Sequence, residues 1–441
     1  MTGPHSAGSL TAPPAAASTL LRVATAGSVD DGKSTLVGRL LYDAKAVLAD
    51  QLAAVTDASR RRGYDEADLA LLVDGLRAER EQGITIDVAY RYFGTARRSF
   101  VLADTPGHVQ YTRNMVTGAS TADVAVVLVD ARAGLVEQSR RHATIAALLG
   151  VGHLVLAVNK MDLVGWSEDV FDGVLRDFAE LAEDRGVRSW SAVPVSALHG
   201  DNVVSRSDRL PWYAGPALLE LLETVQPAEA GQPDGVGSRF PVQLVLRPRT
   251  AAHPDYRGYA GRVAAGVLRV GDPVTVLPSG RTTSVAGIDT ADGPLQEAPA
   301  GRSVVVRLAD ELDVSRGDLL AGPGPAPQVT REFTATVCWL SETSLEPGSH
   351  WRVRQATRDV RGVVAEVHDV LDVTTGGRRP APALGLNDIG AVTVRTAEPL
   401  VVDPYTANRR TGGLLLVDEF GGATVGAGMV ADARCPRDDS R

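Results

Sequence analysis

The chain is 441 residues long, 44% hydrophobic and 22% charged, with a formal net charge of −9. That length corresponds to about three domains, and the balance is that of a globular protein with ample core. The acidic balance argues against a nucleic-acid-binding surface as its main business, and no stretch is long and apolar enough to span a membrane. Two cysteines, Cys338 and Cys435, show no metal-binding spacing and suit a reducing cytoplasm. Cys338 lies in an apolar run and is expected to be buried, whereas Cys435 lies in a polar tail. Residues 1–19 are rich in Ala, Pro, Ser and Thr, with no apolar run as long as a signal-peptide core, and read as a disordered extension.

Taken in chain order, the apolar and partly β-branched run Leu20–Ala26 predicts a buried strand. The octapeptide Gly-Ser-Val-Asp-Asp-Gly-Lys-Ser follows at Gly27–Ser34, and Leu36, Leu40 and Leu41 then fall at helical spacing. Strand, octapeptide and helix together supply the context of the phosphate-binding pattern G-x-x-x-x-G-K-[ST]. Gly27 and Gly32 let the backbone wrap a phosphate, so that N–H groups point inward. The predicted nucleotide contacts here are Gly27, Ser28, Val29, Asp30, Asp31, Gly32, Lys33, Ser34 and Thr35. Lys33 would reach the outer phosphates, Ser34 would ligate Mg²⁺ through its hydroxyl, and the helix dipole favours the anion.

The segment from Tyr42 to Ile86 is long for a connection and is rich in Ala, Leu, Arg, Asp and Glu, so part of it is expected to be helical. Gly83-Ile84-Thr85 near its end looks like the first switch of a GTPase, in which Thr85 would ligate Mg²⁺ and close over the γ-phosphate. The plainer reading is a helix stop at Gly83 before a strand. The switch reading predicts a segment that is mobile without GTP. Next, the strand Phe100–Ala103 ends in Asp104-Thr105-Pro106-Gly107. Asp104 would hold Mg²⁺ through water, and Gly107 would sense the γ-phosphate. His108 follows directly and is the candidate catalytic residue. It can orient the attacking water, as Gln does in other GTPases.

Leu154–Val158 ends in Asn159-Lys160-Met161-Asp162, and Ala192–Val195 ends in Ser196-Ala197-Leu198. These two strand ends look like the base pocket of GTP-binding proteins. Asp162 would accept from the guanine N1–H and 2-amino groups, which adenine cannot offer. Unmet hydrogen bonds of that kind discriminate on the order of 10⁴-fold. Asn159 would bond the base edge and brace the phosphate loop, the Lys160 stem would cover the ring face, and Ala197 would offer its N–H to the guanine carbonyl. The other histidines, His142, His153, His253, His350 and His368 among them, read as structural or surface residues.

Residues 20–228 alternate apolar strands with helical patterns, closing on an amphipathic helix at Gly215–Thr224, which predicts a doubly wound α/β GTP-binding domain. Residues 227–238 form a linker by composition. Beyond it come short β-rich runs broken by Gly and Pro, with a Pro-rich boundary at 322–328. Four runs, Phe240–Leu246, Tyr259–Ala264, Pro273–Leu277 and Ser303–Leu308, predict one small barrel over 239–325. Six more, between Phe333 and Val430, predict a second over 330–432, and 433–441 form a tail. The fold class is thus an α/β P-loop GTPase domain followed by two small β-barrel domains.

An α/β GTPase domain followed by two barrels resembles the translation elongation factors that deliver aminoacyl-tRNA. Gly83–Thr85 and Asp104–His108 belong to that superfamily. A closer likeness rests on Gly27–Ser34, Asp87–Phe93, Gln110–Met115, Gly200–Arg206, Arg257–Gly261, Glu332–Thr336 and Asp403–Tyr405. On these stretches the chain, from about residue 20 to 432, resembles the large GTPase subunit of bacterial sulfate adenylyltransferase. Asp31 is the sharpest marker, because elongation factors carry His or another small polar residue there. The resemblance implies GTP hydrolysis coupled to the making of adenosine 5′-phosphosulfate and pyrophosphate from ATP and sulfate by a small catalytic subunit. Some members carry a fused adenylylsulfate kinase. No second phosphate-loop pattern occurs here, nor a Ser-Gly-Gly-type pyrophosphate loop, so that activity is expected to be absent and the ATP chemistry to reside in another polypeptide. The rival is an elongation-factor-like GTPase carrying tRNA, which would need clustered Lys and Arg across the barrels. The pairs Arg378-Arg379 and Arg409-Arg410 read instead as solvated turns or partner contacts.

Overall fold

The structure is a computed structural model that describes residues 19–61, 67–73, 85, 87–108, 111–187, 189–226, 236–248 and 255–431. The N-terminal extension to residue 18, Gly83 and Ile84 of the switch, Gln110, most of the first linker and Cys435 lie outside the described residues.

Six strands form the first sheet: β1 (Thr19–Ala26), β2 (Ala89–Gly94), β3 (Arg98–Asp104), β4 (Val124–Asp130), β5 (His153–Asn159) and β6 (Trp190–Pro194). Their order is β2-β3-β1-β4-β5-β6, parallel throughout except for β2, which runs antiparallel to β3 at the edge. β4 and β5 are buried along their whole length. Unbroken Val, Leu and Ala runs are what a parallel sheet covered on both faces requires. The helices are α1 (Lys33–Asp43), α2 (Ala49–Arg61), α3 (Thr112–Ser120), α4 (Glu137–Leu148), α5 (Glu168–Asp184) and α6 (Leu218–Thr224). Leu36, Val37 and Leu40 of α1 and Leu218 and Leu222 of α6 pack one face, while Met115, Ile145 and Phe178 of α3, α4 and α5 pack the other. None of the helices among the described residues is long and apolar enough to cross a membrane.

Parallel strands put all their C-terminal ends on one edge, and ligands bind there where the strand order reverses. Here β3 and β4 leave β1 in opposite directions, so the loop after β1 sits at that switch point.

Two barrels follow. In the first, Pro273–Leu277, Leu319–Ala321, Arg239–Leu246, Gly258–Arg262, Ser303–Leu308 and Arg281–Thr290 pair in that order, and the last pairs back onto the first. Arg281–Thr290 escaped the sequence reading because its opening Arg-Thr-Thr-Ser is polar and solvent-facing. The second is a closed six-stranded barrel: Gln328–Trp339, Ile389–Val402, Arg358–Val367, His350–Gln355, Gly413–Val417 and Thr424–Val430. Ile389–Val402 runs on past Thr396 because Pro399 falls where the ladder is already bulged, opposite Thr330–Glu332. The buried pair Arg239–Asp403 ties the barrels together at 3.1 Å. Cys338, Leu340 and Met429 of the second barrel are buried against α4 and α5.

Candidate nucleotide site

Each of the four sequence motifs leaves a strand at the same sheet edge: Gly27–Ser34 after β1, Asp104–His108 at β3, Asn159–Asp162 at β5 and Ser196–Leu198 after β6. A cleft of about 460 Å³ opens there, lined by Val29, Asp30, Gly32, Lys33, Ser34, Thr35, Ala70, Thr85, Gly107, His108 and Lys160. Gly32 has φ +90° and Gly27 φ +142°, and a Cβ on Gly32 would lie 2.5 Å from Asn159 Nδ2. The loop can take this path only with glycine at those positions.

Lys33 is nearly buried, and its ammonium donates to the carbonyls of Ser28 at 2.6 Å and Gly27 at 3.3 Å. Burial lowers its pKa, opposed chiefly by the Asp104 charge. The Ser34 hydroxyl donates to Asp104 Oδ2 at 2.9 Å and lies 3.1 Å from the Thr85 hydroxyl. Thr25 fixes the other Asp104 oxygen at 2.8 Å, and Thr105 donates to the Thr25 carbonyl. Two hydroxyls and one carboxylate therefore converge, although their residues are as many as 70 positions apart. Among the described residues no group of three His, Cys, Asp or Glu could hold a metal. The hard oxygen set of Ser34, Thr85 and Asp104 fits a small divalent cation that keeps most of its waters. A Cβ on Gly107 would meet Lys33 Nζ at 2.4 Å and the Ser28 carbonyl at 2.8 Å, so backbone passes closely here with Pro106 before it. His108 is half-buried on the cleft wall, its ring 5.9 Å from that of Tyr111.

On the base side, Asn159 Nδ2 donates to the Asp31 carbonyl at 2.7 Å, which ties β5 to the phosphate loop. Its Oδ1 accepts the Ala197 N–H at 2.9 Å, so that donor already has a protein partner. Lys160 adopts φ +63°; its ammonium bonds the Asp30 carbonyl and lies 2.9 Å from Asp130 Oδ2. Asp162 lies 3.8 Å from His199 Nε2, Met161 is fully buried, Ser196 is buried and Leu198 is exposed.

The reading missed several supporting residues. Asp130 at the end of β4 accepts from Arg132 at 2.6 and 3.0 Å, and that guanidinium holds its carboxyl well below the usual range. Asp31, named above among the loop's nucleotide contacts, turns its side chain into the loop itself: it is 5% exposed, accepts the Ser28 N–H at 2.5 Å and takes a bond from Ser139 of α4 at 3.3 Å. Its burial raises its pKa. His142 is fully buried beneath the same loop and accepts the Gly27 N–H at Nδ1, 3.0 Å away. Burial and the neighbouring Lys33 charge push its pKa down to about 3, so it stays neutral. No local spacing marks it in the sequence, because its partner Gly27 lies 115 residues away. Of the two readings given for Arg409, solvated turn or partner contact, the first does not hold, since its guanidinium donates to the Gly150 and Ser120 carbonyls at 3.1 and 2.9 Å.

Comparison with known proteins places this geometry. Residues 18–228 match the elongation factor Tu GTP binding domain, and residues 332–431 the GTP-eEF1A C-terminal domain-like family. The chain is 57% identical over 423 residues to the bifunctional enzyme CysN/CysC of Mycobacterium tuberculosis, covering 95% of this chain and 69% of that protein. It is 51% identical over 415 residues to sulfate adenylyltransferase subunit 1 of Aeromonas salmonicida, covering 94% and 87%. Among solved structures, sup35 complexed with GMPPNP overlaps 96% of both chains at 25% identity, with a TM-score of 0.43, too loose to carry an argument. On these identities, over nearly the whole length, the chain belongs to the sulfate adenylyltransferase subunit 1 family, with an elongation-factor-like GTPase domain followed by two β-barrels.

Proposed function

We propose that this chain is the GTP-hydrolysing subunit of a cytoplasmic sulfate adenylyltransferase, working with a small catalytic subunit that makes adenosine 5′-phosphosulfate and pyrophosphate from ATP and sulfate. The observation that carries this is the meeting of Lys33, Ser34, Thr85, Asp104 and His108 in one cleft, in a chain about 50% identical to subunits of that name. The division of labour follows three units, 20–228 for GTP and 239–325 and 330–432 for the barrels.

In this reading the loop N–H groups and Lys33 take the β- and γ-phosphates, and Lys33 exchanges the Ser28 and Gly27 carbonyls for phosphate oxygens. Mg²⁺, held by Ser34 and Thr85 and through water by Asp104, would neutralise charge on those phosphates. His108 orients a water toward the γ-phosphorus; the bridging oxygen leaves with GDP and inorganic phosphate is released. Asp162 and Asn159 select guanine, so ATP has no suitable seat here. Coupling requires that the small subunit bind the GTP and GDP states with different free energies. The translation-type alternative is the weaker one, because the similar proteins are named for sulfate adenylylation.

The test is co-purification followed by assay. The chain alone should hydrolyse GTP slowly and make no adenylylsulfate, and adding the small subunit should give GTP-stimulated synthesis. Synthesis by the isolated chain, or tight aminoacyl-tRNA binding at physiological salt, would overturn the proposal.

A further inference from the structure

Arg39 lies on α1, six residues beyond Lys33, and its guanidinium leaves the helix toward the loop after β6. Nε donates to the Ala197 carbonyl at 3.3 Å and Nη2 to the Leu198 carbonyl at 2.5 Å. Asp43, one turn further along, holds Nη1 at 3.5 Å. Gly200 closes against this pair: its φ is +85°, and a Cβ there would lie 2.9 Å from Asp43 Oδ2 and 3.3 Å from Arg39 Cδ. From the other side, Asn159 Oδ1 accepts the Ala197 N–H. The loop is thus gripped between α1 and β5.

A trans peptide points its C=O and the next N–H in opposite directions. Fixing the Ala197 carbonyl on Arg39 therefore turns the Leu198 N–H away from α1, and that N–H meets no partner among the described residues. We infer that Arg39 is a positioning residue for base selection: it presents the Leu198 N–H to the purine 6-carbonyl by holding two consecutive carbonyls of the loop. The inference rests on reading this pocket as a guanine site. Asp162 reads the opposite part of the base edge, so the two selections are separable by ligand chemistry.

Equilibrium binding of GDP, 6-thio-GDP and ADP to the full chain tests it. The thiocarbonyl is a poor acceptor but leaves the N1–H and 2-amino groups in place. Wild type should favour GDP strongly over ADP; if it does not, the guanine-site reading itself fails. Wild type should also favour GDP over 6-thio-GDP by roughly 10-fold, the worth of one good hydrogen bond. Arg39→Met keeps the packed stem but no donor. It should lose about 10-fold in GDP affinity and at most about twofold in 6-thio-GDP affinity, collapsing the ratio. Equal losses for both ligands would mean that Arg39 acts through the phosphate loop or through stability, and the inference would be wrong. Arg39→Lys keeps the charge but not the planar fork whose Nε and Nη2 reach the two carbonyls together, so its ratio should fall between those of the other proteins. A wild-type ratio in the lysine variant would overturn the two-carbonyl grip, and equal wild-type affinities for GDP and 6-thio-GDP would remove the 6-carbonyl contact altogether.

Discussion

His108 and His142 show how differently the same side chain can serve one site. His108 stands on the cleft wall beside Gly107, where its proposed task is to place water. His108→Ala should leave GTP affinity within about twofold and lower the single-turnover rate by about 10²-fold or more. An unchanged rate would end the catalytic assignment. His142 never meets solvent, and it serves by accepting the Gly27 N–H. Its folded-state pKa of about 3 lies below the ordinary 6.5, so the fold favours the neutral ring. The stability this gives is complete above about pH 6.5 and is lost as the pH falls through that value toward 3. From pH 7 to 5.5 the loss from this group is about 1 kcal/mol. His142→Gln should remove that component, so urea unfolding at the two pH values should differ by less in the variant than in wild type. Asp31, whose pKa burial raises, is common to both proteins and cancels in the comparison.

The element that joins most of the molecule is α4. Its first turns hold the phosphate loop through Ser139 and His142. The carbonyls just past its last turn, Leu149 and Gly150, are taken by Tyr405 Oη at 2.9 Å and by Arg409, both from the second barrel. Orphan carbonyls at a helix end need such partners, and a cation there also suits the dipole. Tyr405→Phe keeps the ring and removes one bond, so it should cost about 1 kcal/mol in denaturant unfolding, with GTP affinity little changed. A loss well above that would mean that the hydroxyl also sets the docking of the barrel on the GTPase domain.

In the whole molecule, the barrels are fastened by charge buried between them. The Arg239 and Asp403 side chains are 1% and 7% exposed, and Thr411 and the Pro325 carbonyl complete their hydrogen bonds. Removing one partner leaves the other charge buried and unpaired. Asp403→Ala should therefore cost about 3–5 kcal/mol, while Arg239→Met combined with Asp403→Leu should recover much of it. Equal destabilisation of the single and double variants would show that packing at the junction, not charge, is what fails. The barrels are thus locked together, and the second one packs in the same buried cluster as α4 and α5.

The sequence alone determined the GTPase class, because phosphate and base recognition fix residue types at short spacings: Gly27, Gly32, Lys33 and Ser34 in one octapeptide, Asn159 and Asp162 in one tetrapeptide. It also marked Asp31 and Asp403–Tyr405 as distinctive, without a reason. Tertiary structure supplied the reasons, since each acts across the fold: Asp31 with Ser139, Asp403 with Arg239, Tyr405 with Leu149. His142, Arg39 and the second-barrel role of Arg409 were illegible for the same cause. A side chain's partner 100 or more residues away leaves no local periodicity or spacing to read, and only the closing of sheet and barrels decides who meets whom.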